Sequence, residues 1–219
     1  MIRNQWYVIL ESREVRANKL CAVRRMGVDL VLWRDTSGAV RCIADHCVHR
    51  GAALSLGKVT GDCVECPFHG LQYDGEGHVT LIPANGRITP VPATFAGDAY
   101  VVREGHGYVY LWWGTPRPVY PDLPFIPGLD DTRLVYGAWR DPWNAFYARA
   151  IENQLDVVHL PFVHHNTIGI GNKTVVNGPV ATMEGDVLRI WVDNEKDHGQ
   201  KPLRPTEMAV PDRPAQLTF

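Results

Sequence analysis

CVHRGAALSLGKVTGDCVECPFHGLQYD, residues 47–74, holds two fragments that decide how the chain folds: Cys47-Val48-His49 and Cys66-Pro67-Phe68-His69. Each offers one thiolate and one imidazole. Gly51 follows the first histidine closely, Gly70 the second, and Pro67 stiffens the second fragment. Glycine permits positive φ and lets backbone approach a bound group closely, so both fragments read as loops wrapped around something. The chain has five Cys and nine His in 219 residues. At those frequencies the paired arrangement arises by chance about two times in a thousand.

Two thiolates and two imidazoles, one of each per loop, are the protein ligands of a Rieske [2Fe–2S] centre, in which two cysteines hold one iron and two histidines the other. A structural zinc site uses the same residue types, but zinc sites rarely pair C-x-H with C-x2-H. Cys21, Cys42 and Cys63 remain and read as small buried hydrophobes. An odd cysteine count with two thiols claimed does not read as a secreted disulfide framework.

The rest of the composition sets limits. A net charge of −2 with 21% charged residues leaves no nucleic-acid surface or polybasic membrane patch. Met1-Ile2-Arg3-Asn4-Gln5-Trp6 lacks the apolar core of a signal peptide, and no apolar run approaches the roughly 18 residues of a membrane helix. The expectation is a cytoplasmic protein with neither nucleic-acid nor membrane partners.

Trp6-Tyr7-Val8-Ile9-Leu10, Leu30-Val31-Leu32-Trp33 and Tyr108-Val109-Tyr110-Leu111-Trp112-Trp113 are short β-branched and aromatic runs. Turn residues such as Asp35-Thr36-Ser37-Gly38 and Asp74-Gly75-Glu76-Gly77 lie between them. This predicts an all-β domain over residues 1–118, a small antiparallel barrel or sandwich carrying the two loops. Residues 115–128 hold five prolines in fourteen positions, which no central strand or helix tolerates. A semi-rigid linker is expected over 119–128, followed over 129–219 by the start of an α+β domain with a curved antiparallel sheet.

In that second part a strand is expected over 133–139. A helix should then run from Pro142, capped by Asp141, to about residue 159, where Pro161 ends it. A hairpin follows over 172–194, turning at Glu184-Gly185-Asp186. Within the expected helix, Asn153, Asp156 and His159 are spaced i, i+3, i+6 and share one face. His164 follows beyond Pro161, where the chain can turn back, and its spacing favours it over His165. Two imidazoles with one carboxylate form the facial triad of non-heme ferrous iron oxygenases. Asp156 is better placed to accept a hydrogen bond from His159 and fix its tautomer.

The order of a Rieske motif, a proline-rich boundary and N-x-x-D-x-x-H-x4-H resembles the α, terminal oxygenase subunit of Rieske non-heme iron oxygenases. Residues 47–74 and the stretch IENQLDVVHLPFVHHNTIG, residues 151–169, carry the resemblance. The wording of both is closest to the O-demethylase and chlorophyllide-oxygenase-like branches. The resemblance implies Cys47 and Cys66 on one cluster iron, and His49 and His69 on the other through Nδ1. It also implies His159 and His164 on a mononuclear iron, with Asn153 nearby. Asp156 would bridge a cluster histidine of one subunit to an iron-bound histidine of its neighbour, within a ring of three copies. Electrons would come from NAD(P)H through a reductase or ferredoxin, for O2-dependent oxidation of a small aromatic or cyclic substrate. Phe162 and residues 166–168 are the local contributors to a pocket.

The family's third iron ligand is a carboxylate far downstream, expected beyond residue 219. Asp186, Asp193, Glu195, Asp197 and Asp212 read instead as solvated surface. The chain is therefore expected to be the N-terminal part of such a subunit. Two electron-transfer readings compete with this one. A Rieske ferredoxin needs only about the first half of the chain. A cytochrome-complex Rieske subunit needs a further cysteine in each loop, where Ala52 and Phe68 stand.

Overall fold

Leu30-Val31-Leu32-Trp33 is apolar at every position because it forms the middle of a strand covered on both faces. The computed structural model describes residues 1–124, 131–135, 137, 140–185 and 187–209. The chain divides into two units, Met1–Leu134 and Val135–Phe219. The first has strands β1 (Gln5–Glu11), β2 (Cys21–Arg25), β3 (Val28–Arg34), β4 (Val40–Ala44) and β5 (Lys58–Thr60). Then come β6 (Cys63–Glu65), β7 (Gln72–Tyr73), β8 (Val79–Leu81), β9 (Val102–Gly105) and β10 (Tyr108–Trp113). They form three antiparallel sheets, ordered β2-β3-β4, β1-β10-β9 and β5-β6-β7-β8.

Successive side chains on a strand point to opposite faces, and β3 uses both. Val31 and Trp33 join Ile43, Leu54, Val64, Leu71, Tyr73 and Val79 in one buried core, which also contains Cys47 and Cys66. Leu30 and Leu32 join Ile9, Leu10, Val15, Val40, Cys42, Val109 and Leu111 in the other. The central sheet thus separates the core under the two loops from the core under β1 and β10. Each fully buried Leu, Ile or Val contributes about 1.5–3 kcal/mol, so these two cores outweigh the surface ion pairs, worth about 0–1 kcal/mol each. Cys42 is buried and Cys21 and Cys63 are partly buried, and all five thiols are free.

The expected turns sit where the sequence places them. Asp35 Oδ1 accepts the N–H groups of Ser37 and Ala39, and Asp74 Oδ1 accepts those of Glu76 and His78. The beginning of the proline-rich stretch lies on the β1–β10 sheet. Trp6 Nε1 donates to Pro121 O at 2.9 Å and Trp112 Nε1 to Thr115 O at 3.0 Å, while Tyr120 packs against both indoles. Residues 125–128 of the expected linker lie outside the described residues.

The second unit has helices α1 (Tyr147–Leu155) and α2 (Leu160–Val163), then β11 (Val175–Glu184) and β12 (Val187–Glu195), paired antiparallel. The hairpin agrees with expectation, with Gly185 at φ 59° in its turn; Asp186 lies outside the described residues. The helix does not. It begins at Tyr147 because Asp141 spends its carboxylate on the Trp143 indole, 2.7 Å away, and caps nothing. It ends at Leu155 because Asp156 turns extended and accepts the Val158 N–H at 2.7 Å. Asn153, Asp156 and His159 therefore do not share one face of a continuous helix. Pro161 begins the next helix, α2, rather than ending the first, a position where its missing N–H costs nothing. Of the strand expected over 133–139, residues 136, 138 and 139 lie outside the described residues, and the others are irregular. Among the described residues no helix is long and apolar enough to cross a membrane.

Candidate metal centres

The two cysteine–histidine loops are closed by the same pair of backbone hydrogen bonds. Cys47 N donates to Ala52 O and Gly51 N returns to Cys47 O; Cys66 N donates to Leu71 O and Gly70 N returns to Cys66 O. Both returns need the left-handed backbone that Gly51 (φ 69°) and Gly70 (φ 73°) supply. The repeated geometry points both thiols inward and leaves both imidazoles outward. Cys47 and Cys66 are each 2% exposed, whereas His49 and His69 are exposed, with ring centroids 4.6 Å apart.

The surroundings of the thiols suit thiolates that carry iron. Burial pushes the Cys66 thiol up, and the backbone N–H groups of Phe68 and His69 aimed at its sulfur oppose that. Tyr73, which the sequence shows only as one more core aromatic, is the residue missed beforehand. Its hydroxyl lies 3.0 Å from Cys47 Sγ and accepts the Val48 N–H at 3.0 Å. Held as a thiolate, Cys47 could only accept, and the phenolic proton would then point to its sulfur. Burial, and then Cys47 itself, holds the phenol above its ordinary pKa, so this proton stays on. Among the described residues no three His, Cys, Asp or Glu gather around a single point. Two thiols at the buried end and two imidazoles at the exposed end fit a two-iron cluster, which takes two protein ligands per iron.

In the second unit His159 and His164 face each other with ring centroids 5.3 Å apart. His164 follows α2, and the turn after it is closed by Gly169 N donating to His164 O. A Cβ on Gly169 would collide with the Leu160 carbonyl, so only glycine fits there. His165 instead places Nδ1 2.9 Å from Phe162 O and is turned away from this pair. Asp156 Oδ2 lies 3.1 Å from His159 Nδ1, an ion-pair distance without hydrogen-bond alignment; that nitrogen is buried and otherwise unpartnered. The Val158 N–H, and then His159, hold Asp156 below its ordinary pKa. Asn153 is exposed on α1, as are Phe162 and residues 166–168 beyond α2. Two imidazoles, one oriented by a carboxylate, could hold an iron with open positions. Among the described residues no third ligand joins them. Asp193, Glu195 and Asp197 are exposed, and Asp186 and Asp212 lie outside the described residues.

Comparison with known proteins supports both halves. Residues 5–94 match the Rieske [2Fe-2S] domain, and residues 143–219 match the vanillate O-demethylase oxygenase C-terminal domain. The chain is 32% identical over 179 residues to the toluene-4-sulfonate monooxygenase system iron-sulfur subunit TsaM1 of Comamonas testosteroni, covering 77% of this chain and 48% of that protein. It is 31% identical over 188 residues to the vanillate O-demethylase oxygenase subunit of Pseudomonas sp. (strain HR199 / DSM 7063), covering 85% and 51%. The structure of NdmA from Pseudomonas putida CBB5 superposes with a TM-score of 0.76 at 26% identity, over 87% of this chain and 59% of that one. The chain thus spans about half the length of these relatives. With a Rieske domain followed by a vanillate-O-demethylase-type C-terminal domain, it belongs to the oxygenase subunits of the Rieske oxygenases.

Proposed function

We propose that this chain belongs to the terminal oxygenase component of a Rieske non-heme iron system that hydroxylates or demethylates a small aromatic or cyclic substrate with O2. Electrons come from NAD(P)H through a reductase or ferredoxin. The observation that carries this is the presence, in one chain, of both a paired Cys/His loop set and a His159–His164 pair beside a carboxylate. When bound, the cluster supplies single electrons and the mononuclear iron supplies O2 activation.

The chain's own residues do the rest. Cys47 and Cys66 hold the buried end of the cluster, and the N–H groups of Phe68 and His69 with the Tyr73 hydroxyl offset the thiolate charge. His49 and His69 hold the exposed end, where electrons enter and leave. Asp156, 3.1 Å from His159 Nδ1, would favour the proton there and leave Nε2, with His164, to hold the iron. Asp156 is half exposed, and its carboxylate, though it already meets the Val158 N–H and His159, keeps lone pairs with which to meet a cluster histidine of a neighbouring copy in a ring of three. Asn153 lies near the iron in that assembly. An iron held there would need a further ligand, and among the described residues none joins the two histidines. Five free thiols agree with a reducing, cytoplasmic compartment.

A test follows from the relatives' chemistry. Supplied with a flavin-dependent ferredoxin reductase and NAD(P)H, the complete oxygenase should release formaldehyde from a methoxylated aromatic acid, or give a ring-hydroxylated product, with matching O2 uptake. NAD(P)H oxidation indifferent to every aromatic or cyclic compound tried, with both metal centres filled, would count against it. A Rieske electron carrier would show that pattern.

A further inference from the structure

Val157 lies in the short loop between α1 and α2, so its carbonyl belongs to neither helical ladder. The Val157 carbonyl is left with one long contact, from Leu160 N at 3.4 Å. The amide of Asn194, on β12, fills the gap: its Nδ2 donates to Val157 O at 3.3 Å. This carbonyl belongs to the residue directly after Asp156 and two before His159. The remaining hydrogen bonds of the loop are local, Asp156 N to Glu152 O and Val158 N to Asp156 Oδ1. Local bonds give the loop its shape but not its place. The Asn194 bond ties it to the hairpin. Asn194 is partly buried and sits in register opposite Val176, so β11 and β12 hold it in position.

We propose that Asn194 is a positioning residue for the mononuclear iron site, fixing where Asp156 and His159 stand by gripping the Val157 carbonyl. The inference rests on the iron-binding reading above. Asparagine suits the role because its amide offers a donor. Aspartate would place a carboxylate oxygen against a carbonyl, alanine would reach nothing, and glutamine keeps the donor on a longer arm.

The test compares the 219-residue chain with its Asn194→Ala, Asn194→Asp and Asn194→Gln variants, titrated with ferrous iron without oxygen and read by the EPR signal of the nitric oxide adduct. Amide exchange at Val158 and Leu160 is followed in the metal-free protein. The Ala and Asp variants should bind iron roughly tenfold more weakly, with a broadened nitrosyl signal. Exchange at Val158 and Leu160 should rise while the β11 and β12 amides keep their protection. The Gln variant should recover much of the loss, and the cluster's own spectrum should not change in any of them. Wild-type iron affinity and wild-type exchange in both Ala and Asp variants would overturn the proposal. So would loss of hairpin protection in all three variants, which would make Asn194 a folding residue only. If the unmodified chain binds no iron at His159 and His164, the iron-binding reading fails, and the exchange pattern still decides whether Asn194 grips the loop.

Discussion

Tyr73 and Asp156 each place one polar atom against a ligand residue, and each lends itself to a single-residue test. A Tyr73 proton on Cys47 Sγ would stabilise the more electron-rich, reduced form of a cluster held there. A hydrogen bond to a charged group is worth about 1.5 kcal/mol, which for one electron corresponds to about 60 mV. Tyr73→Phe should lower the midpoint potential by tens of millivolts, in a redox titration followed by EPR, and leave the cluster assembled. An unchanged potential would mean the phenolic proton points elsewhere. Asp156→Ala should leave both metal centres loaded and stop electron transfer between them, as seen by stopped-flow reoxidation of the cluster. Reoxidation at the wild-type rate would remove Asp156 from the path. The two Cys/His loops were legible in the sequence because metal chemistry constrains both residue type and spacing, and the four ligands proposed above come from them. Tyr73 was not, since a tyrosine in a β-run reads as core until its hydroxyl is placed.

Among the elements, strands were easier to read than helices. β1, β3 and β10 are each built around a run of aromatic, aliphatic and β-branched residues, and burial on a sheet rewards that composition. The ends of α1 depend on which side-chain oxygen reaches which N–H. Asp141 and Asp156 both had a bond to make that no spacing rule reveals, one to the Trp143 indole and one to the Val158 N–H. A related bond joins elements far apart in sequence. Arg34, on β3, spreads its guanidinium over Val15 O, Gly38 O and Ser12 O and makes a two-pronged pair with Glu104 on β9. Hydrogen bonding to Arg34 holds Glu104 below its ordinary value of 4.5. A depressed carboxylate contributes stability that is complete above 4.5 and lost as pH falls through the folded value. Wild type should therefore lose stability on acidification more steeply than Glu104→Gln, measured by urea unfolding at successive pH values below neutrality. Parallel curves would show that the pair contributes nothing to the fold.

At the scale of the whole molecule, the sequence order of cluster loops, proline-rich stretch and histidine pair was enough to recognise both domain types. The chain spans about half the length of the relatives it matches, and among the described residues no third ligand joins His159 and His164. The ring of three copies proposed above comes from the family resemblance, and the exposed His49–His69 pair and half-exposed Asp156 are accessible to a neighbouring copy. All of this depends on what the two mirrored loops hold. The most direct measurement is iron and acid-labile sulfide per chain, on protein purified without oxygen, for wild type and Cys66→Ser. A [2Fe–2S] cluster on these loops requires a red-brown protein with two sulfides and at least two irons per chain, and loss of the sulfide in the variant. A colourless protein that carries zinc and no sulfide would contradict it.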